Sequence, residues 1–248
     1  MASGVAPVRS RDPERIRHLV ERDGAAILIG WGTGAEDAVA AAGAVFGADL
    51  SDVLAPTEVG AAGGPGDGAA AAAHTDGSTL GDRYPDYVLL SGAAWSGDGG
   101  DSFVVDGEAV VDHLAGGPGG RELVHRLQRV AVDHGGPGAA GGRSTVIGRT
   151  LGGRLMLRRF PSPTSARPEE DAAMLRRWED TIDAAAALAP RFAVQAGDVV
   201  VIDNYRMMHG GDLCGAGDRR WWRVWAWSTS ADGRAGRERS FDPRAEAS

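Results

Sequence analysis

The chain has 248 residues and a formal net charge of -8, a length that suits one domain with a full core and a charge that argues against nucleic-acid or anionic-membrane partners. All 26 basic residues are arginine and the only cysteine is Cys214, which excludes lysine Schiff-base chemistry, an intrachain disulfide and a thiolate metal cluster. No run approaches the ~18 apolar residues of a membrane span, and Met1–Glu14 contains no apolar leader segment, so a soluble cytoplasmic protein is expected.

Taken in order, Asp12-Pro13-Glu14 reads as a cap followed by proline in the first turn, opening a helix that Asp23-Gly24 ends. Ala25–Trp31 reads as a buried strand and residues 34–46 as a second helix, so residues 1–50 form an N-terminal buttress. From Ser51 to Ala73 the pattern dissolves into Gly, Ala, Pro and Asp. Because this stretch runs directly into His74, it is expected to be a flexible lid loop over a site. Asp86–Leu90 and Ser102–Val105 are strands joined by a Gly-rich connection that carries Trp95.

Gly107–Ala115 and Arg121–Val130 are short helices. Ser144–Thr150 and Arg154–Phe160 flank Gly152-Gly153 as a hairpin. Pro168–Leu188 is the longest helix, with Met174, Leu175, Trp178 and Ile182 at helical spacing. Val199–Ile202 is a fully buried strand, Trp221–Ser228 the last strand, and residues 230–248 a polar tail. His18, His113, His125 and His134 fall to surface or helix roles. Short strands and Gly-rich turns with helices gathered at two places indicate a single, mainly β domain with flanking helices, built on a jelly-roll, cupin-like core.

His74 and Asp76 lie two apart, so in extended chain both side chains leave from one face. With the remote His209 they would cap one face of an octahedral metal and leave three positions open, the 2-His-1-carboxylate arrangement of non-haem Fe(II) oxygenases. Four patterns fall in order around them. They are His74-Thr75-Asp76; Gly99-Gly100-Asp101-Ser102-Phe103; Asp203-Asn204-Tyr205-Arg206-Met207-Met208-His209-Gly210; and Arg219-Arg220-Trp221-Trp222-Arg223.

This set resembles the TauD/TfdA superfamily of Fe(II)/2-oxoglutarate dioxygenases, in the style of its γ-butyrobetaine hydroxylase and clavaminate-synthase-like branches, over about residues 72–228. The resemblance implies a double-stranded β-helix with Fe(II) held by His74, Asp76 and His209. It also implies 2-oxoglutarate as cosubstrate, its far carboxylate gripped by an arginine past the distal histidine and by a hydroxyl at Ser102. Arg219, Arg220 and Arg223 all fall in that window. A guanidinium suits the task because its planar fork meets a carboxylate with two parallel bonds. Strand parity sets Arg219, Trp221, Arg223 and Trp225 on one face and Arg220 on the other, which favours Arg223. The tryptophans at 221, 222, 225 and 227 read as barrel wall.

The reaction so implied consumes O2 and 2-oxoglutarate, releases succinate and CO2, and oxidises, most simply hydroxylates, an aliphatic C–H bond of a small molecule. Asp76 is intact, whereas related iron halogenases carry Gly or Ala at that place. Tyr84, Trp95 and the Arg158-Arg159 pair are candidate substrate contacts, and the two arginines would suit an amino-acid-like or otherwise carboxylated molecule. Gly211 stands where the branch often continues its distal histidine as H-G-R. Two other classes use the same residues. One is a non-redox cupin-like isomerase or hydrolase with Zn or Mn; the other is an inactive small-molecule-binding jelly roll.

Overall fold

The computed structural model describes residues 3–60, 71–77, 80, 84–94, 100–134, 142–150, 153–161, 164–166, 169–212 and 220–229. Strands β1 (Gly4–Val5) and β2 (Val8–Ser10) precede helix α1 (Pro13–Asp23), β3 (Ala25–Leu28) and α2 (Ala35–Phe46). Strands β4 (Leu50–Val53), β5 (Thr57–Val59), β6 (Ala71–His74), β7 (Tyr87–Ala94) and β8 (Ser102–Asp106) follow, then helices α3 (Gly107–Gly116) and α4 (Gly120–Arg129). The remainder is β9 (Val132–His134), β10 (Arg143–Ser144), β11 (Ile147–Arg149), β12 (Leu155–Leu157), β13 (Thr164–Ser165), α5 (Glu169–Leu188), β14 (Val199–Asp203), β15 (Met207–Gly211) and β16 (Arg220–Ser228).

Local chemistry explains the clearest of these. The Asp12 carboxylate accepts from the Glu14 N–H, Pro13 fills the first turn, and Gly24, in the left-handed region at φ 84°, closes α1. Ile16, Leu19 and Val20 put one apolar stripe of that helix inward. Strand β14 is buried at all five residues, as expected of a strand flanked on both sides, and it lies between β3 and β7.

Two main sheets result. The larger has the order β2-β3-β14-β7-β16-β4, with β5 also on β16; the smaller has the order β1-β8-β15-β6. Pairing is antiparallel apart from β2 with β3. Alternation sorts the side chains into three layers. Ile27, Val88, Val200 and Ile202 of the larger sheet meet Val104 and Met207 of the smaller one between the sheets. The other face of the larger sheet packs on α1 and α2 through Leu28, Leu89, Val201 and Val224. The outer face of the smaller sheet packs on α3, α4 and α5, where Trp178 and Ile182 are fully buried. Two facing antiparallel sheets with helices outside are the jelly-roll architecture expected from the sequence.

The structure differs from the sequence expectation in three places. The stretch read as a lid begins with two strands: β4 and β5 pair with β16, so residues 50–59 belong to the sheet edge. The stretch also ends in a strand, since residues 71–73 belong to β6, which pairs with β15; residues 61–70 between lie outside the described residues, as does the tail beyond residue 229. Strand β7 continues through Ala94, absorbing the start of the connection after Leu90. His134 is neither on the surface nor in a helix. It ends β9, is buried, and its Nε2 meets Ser144 Oγ at 2.9 Å.

Candidate metal centre

The centre forms where the smaller sheet presents two histidines to the space between the sheets. His74 ends β6 and His209 sits in β15, and the two are direct cross-strand partners. Partners in antiparallel register project to the same face, and here the ring centroids lie 4.3 Å apart. A β-bulge beside the pair separates His209 from the next matched residues, Gly211 and Ala71. Asp76 follows two residues after His74, and donor atoms of His74, Asp76 and His209 all lie within 4.8 Å of one another.

Two of the three donors are held from behind. The His74 Nδ1 lies 2.8 Å from the Ala72 carbonyl. A carbonyl only accepts, so Nδ1 carries the proton and Nε2 keeps its lone pair. That Nε2 is 3.7 Å from Asp76 Oδ1. The Asp76 main chain is gripped by one side chain: its N–H donates to Asn204 Oδ1 at 2.9 Å, and Asn204 Nδ2 donates to the Asp76 carbonyl at 3.0 Å. Thr75 is tied on the other side, its N–H donating to the Arg159 carbonyl at 2.7 Å.

The larger sheet supplies the opposite wall through β16. Trp221, Arg223 and Trp225 share the face between the sheets, while Trp222 packs outward and donates to the Thr33 carbonyl. Trp225 Nε1 donates to Asp76 Oδ2 at 2.8 Å. Arg223 reaches Asp76 Oδ1 at 3.5 Å and lies over the Trp225 ring at 4.7 Å from its centroid.

The electrostatics favour metal-binding protonation states. Burial pushes the His209 imidazole down to about 3, helped by His74 and Arg223 and opposed by Asp76; it is neutral at ordinary pH. Burial alone would raise Asp76, but His209, Arg223, His74 and the Trp225 N–H outweigh it and hold the carboxyl below its usual range. A neutral imidazole and an ionised carboxylate are the forms that ligate a divalent cation. His209 Nδ1, moreover, is buried without a hydrogen-bond partner among the described residues. The donor set therefore fits a divalent metal of the kind that accepts mixed nitrogen and oxygen ligands.

Arg220 is exposed and pairs with Glu58 at 3.6 Å, on the face away from Arg223. Ser102 lies opposite Gly211 in register, on the face of β8 that also carries Val104. Tyr84 is buried, its hydroxyl donating to the carbonyls of Leu157 and Asn204, so it braces the wall and presents no free hydroxyl. Arg158 is buried, donating to the Thr145 carbonyl, whereas Arg159 is engaged by the Ala73 carbonyl and by Asp183. Trp95 and Arg219 lie outside the described residues. Asn204 had no assigned role from sequence, and Trp225 was expected only as barrel wall. An amide beside the histidine motif and a tryptophan in phase with Arg223 were the available signals.

Residues 3–225 match the family model described as taurine catabolism dioxygenase TauD, TfdA family. The chain belongs to the TauD/TfdA family. A TauD/TfdA protein is a non-haem iron, 2-oxoglutarate-dependent oxygenase, and His74, Asp76 and His209 would hold its Fe(II). When bound, the iron supplies oxidation by O2 coupled to decarboxylation of 2-oxoglutarate. Among solved structures the fold is similar to asparagine oxygenase, at a TM-score of 0.65 and 16% identity over 88% of this chain and 78% of that one. It is also similar to the non-haem iron oxygenase OrfP in complex with Fe (0.61, 16%, 93% and 83%). A third similar fold is PvcB from Pseudomonas aeruginosa (0.59, 16%, 88% and 82%). No curated protein sequence matches.

Proposed function

We propose that this TauD/TfdA oxygenase hydroxylates an aliphatic carbon of an amino-acid-like, carboxylated small molecule. The observation that carries the oxygenase reading is the convergence of His74, Asp76 and His209 with Arg223 facing them across the sheets. These three residues would hold the metal, leaving it open to cosubstrate and O2. Arg223 is the residue for the far carboxylate of 2-oxoglutarate: it stands within reach of the metal ligands, its plane is backed by Trp225, and Arg220 points away. Ser102 would add a hydroxyl to the same carboxylate.

The amino-acid-like substrate is supported by the printed descriptions of two similar structures. One holds asparagine oxygenase with Fe(II), hydroxyasparagine and succinate, and the other an OrfP mutant with (3S)-hydroxy-L-Arg. Within this chain, Arg158 and Arg159 are the candidates for a substrate carboxylate, and each is already engaged, Arg158 by the Thr145 carbonyl and Arg159 by the Ala73 carbonyl and Asp183. The protein's part is to orient the C–H bond and to shield the centre from water.

The test is a panel of free amino acids and their simple derivatives, scored by substrate-triggered succinate formation with Fe(II), 2-oxoglutarate and O2. One member should raise succinate well above the uncoupled rate and appear as a product heavier by one oxygen atom. A panel with no response from any carboxylated member would overturn the substrate class. Turnover unaffected by removing 2-oxoglutarate would overturn the oxygenase reading.

A further inference from the structure

We propose that Trp225 is a positioning residue that serves both halves of the centre, fixing the metal ligand Asp76 through its indole N–H and seating the cosubstrate arginine, Arg223, on its ring. This inference rests on the oxygenase reading above and deepens it. The geometry is on one side chain: Nε1 donates to Asp76 Oδ2 at 2.8 Å, and the Arg223 guanidinium carbon stands 4.7 Å from the ring centroid. Trp225 occupies β16 opposite Val88 of β7, on the face turned to the smaller sheet. Its backbone is therefore held in the sheet, and the indole reaches across the gap to the metal ligand.

Three physical points give this arrangement a task. A carboxylate turns about its terminal bond in a broad, two-fold well, so an aspartate in an open site has no preferred oxygen to offer. The bond to Oδ2 removes that freedom and leaves Oδ1 turned toward His74 Nε2 at 3.7 Å. An indole N–H donates and never accepts or titrates in the usual range, so it orients the carboxylate without competing for the metal and without adding a charge.

Arg223 is the competitor. It already stands 3.5 Å from Asp76 Oδ1, and a guanidinium forked onto both carboxylate oxygens would withdraw the ligand and the clamp together. With Oδ2 taken by the indole and the guanidinium plane held on the ring face by cation–π attraction, that fork is blocked. Asp76 then stays with the metal, and Arg223 stays free for a dicarboxylic acid.

The two functions separate by substitution. Trp225→Phe keeps a ring under Arg223 but removes the donor; Trp225→Leu removes both. The readouts are Co(II) affinity by calorimetry, 2-oxoglutarate affinity at saturating Co(II), and the melting temperature of each apo protein. Trp225→Phe should weaken Co(II) binding by about 10- to 100-fold, the usual effect of losing a partner of a ligand, with 2-oxoglutarate affinity at saturating metal unchanged. Trp225→Leu should weaken both. A merely structural tryptophan would lower the melting temperature without this split. Trp225→Phe that binds Co(II) as tightly as the wild type overturns the proposal while leaving the oxygenase reading intact. A wild-type protein that binds no Co(II) overturns the metal-centre reading itself, and the proposal with it.

Discussion

Asn204 and Asp76, 128 positions apart in the chain, are joined by two antiparallel hydrogen bonds: the amide oxygen of Asn204 takes the Asp76 N–H and its amide nitrogen donates to the Asp76 carbonyl. The side chain imitates a strand neighbour just where β6 has ended at His74. It also donates to the Pro85 carbonyl, so one buried amide pins the H-x-D segment to the turn between β14 and β15. Asp76, and His209 on the strand that follows, are thereby referred to the same turn.

Replacing Asn204 with Ala should leave the Asp76 N–H and two carbonyls buried without their partner, a cost of about 1–3 kcal/mol for each group stranded. Asn204→Asp should also be damaging, because a carboxylate would face the two carbonyls that now receive N–H groups. Thermal denaturation should show a lowered melting temperature for both variants, and Co(II) titration a weaker site. Unchanged metal affinity in Asn204→Ala would show that Asp76 is placed by other means.

Two glycines set close approaches at the centre. Gly77 follows Asp76 at φ +107°, and a Cβ there would stand 2.5 Å from Pro85 Cδ. Gly210 follows His209, and a Cβ there would come 2.5 Å from the Ala71 carbonyl oxygen on β6. Gly210→Ala should therefore push apart the strands carrying the two histidines and weaken metal binding more than it lowers overall stability. Misplacement of catalytic groups by an ångström can cost about 100-fold in rate. Steady-state turnover and metal titration on Gly210→Ala check this; a variant with wild-type values for both would contradict it.

The two arginines of β16 that the structure describes should separate cleanly. Arg223→Lys keeps the charge but loses the planar fork and the fit to the Trp225 face, so the KM for 2-oxoglutarate should rise about 10- to 100-fold, a loss of the order of one charged hydrogen bond. Arg220→Ala removes only an exposed contact to Glu58, worth little, and should leave that KM at the wild-type value. Initial-rate measurements against 2-oxoglutarate decide between them, and the reverse ranking would move the clamp to Arg220.

His134 gives the stability a pH signature. Burial, with the nearby positive charge of Arg158, pushes its imidazole down to about 4, against a hydrogen bond with Ser144 and the negative charge of Asp133, which favour the charged form. The folded pKa lies below the unfolded value of about 6.5, so between the two the unfolded chain binds the proton and the folded one does not. Stability from this group is complete above about pH 6.5 and declines as pH falls toward 4, by about 3 kcal/mol. Denaturant melts at pH 7 and pH 4.5 should show a loss that shrinks in His134→Gln. An equal loss in the variant would assign the effect elsewhere.

Much of this was written locally in the chain. Asp12, Pro13 and Gly24 bound α1, the run Val199–Ile202 could only be a buried strand, and period-two alternation already grouped Arg223 with Trp225. The edge strands β4 and β5 were not legible, because their residues have weak strand character and acquire it only from pairing with β16. The direct register of His74 against His209 is likewise a property of β6 meeting β15, which no spacing within either segment encodes. The same holds for Asn204 and Trp225, whose polar atoms matter through Asp76, a residue remote from both in sequence. Tyr84 reads as an accessible aromatic in a polar segment, and only packing against Tyr205 and Phe160 shows it to be wall.

If His74, Asp76 and His209 gather one iron and Arg223 seats 2-oxoglutarate beside it, anaerobic addition of 2-oxoglutarate to the Fe(II)-loaded protein should give the weak visible charge-transfer band of the chelate. The band should appear and saturate with one 2-oxoglutarate per chain, and it should be lost in His209→Ala under the same conditions. No band in the wild type, or a band of full strength in His209→Ala, would rule out this metal centre.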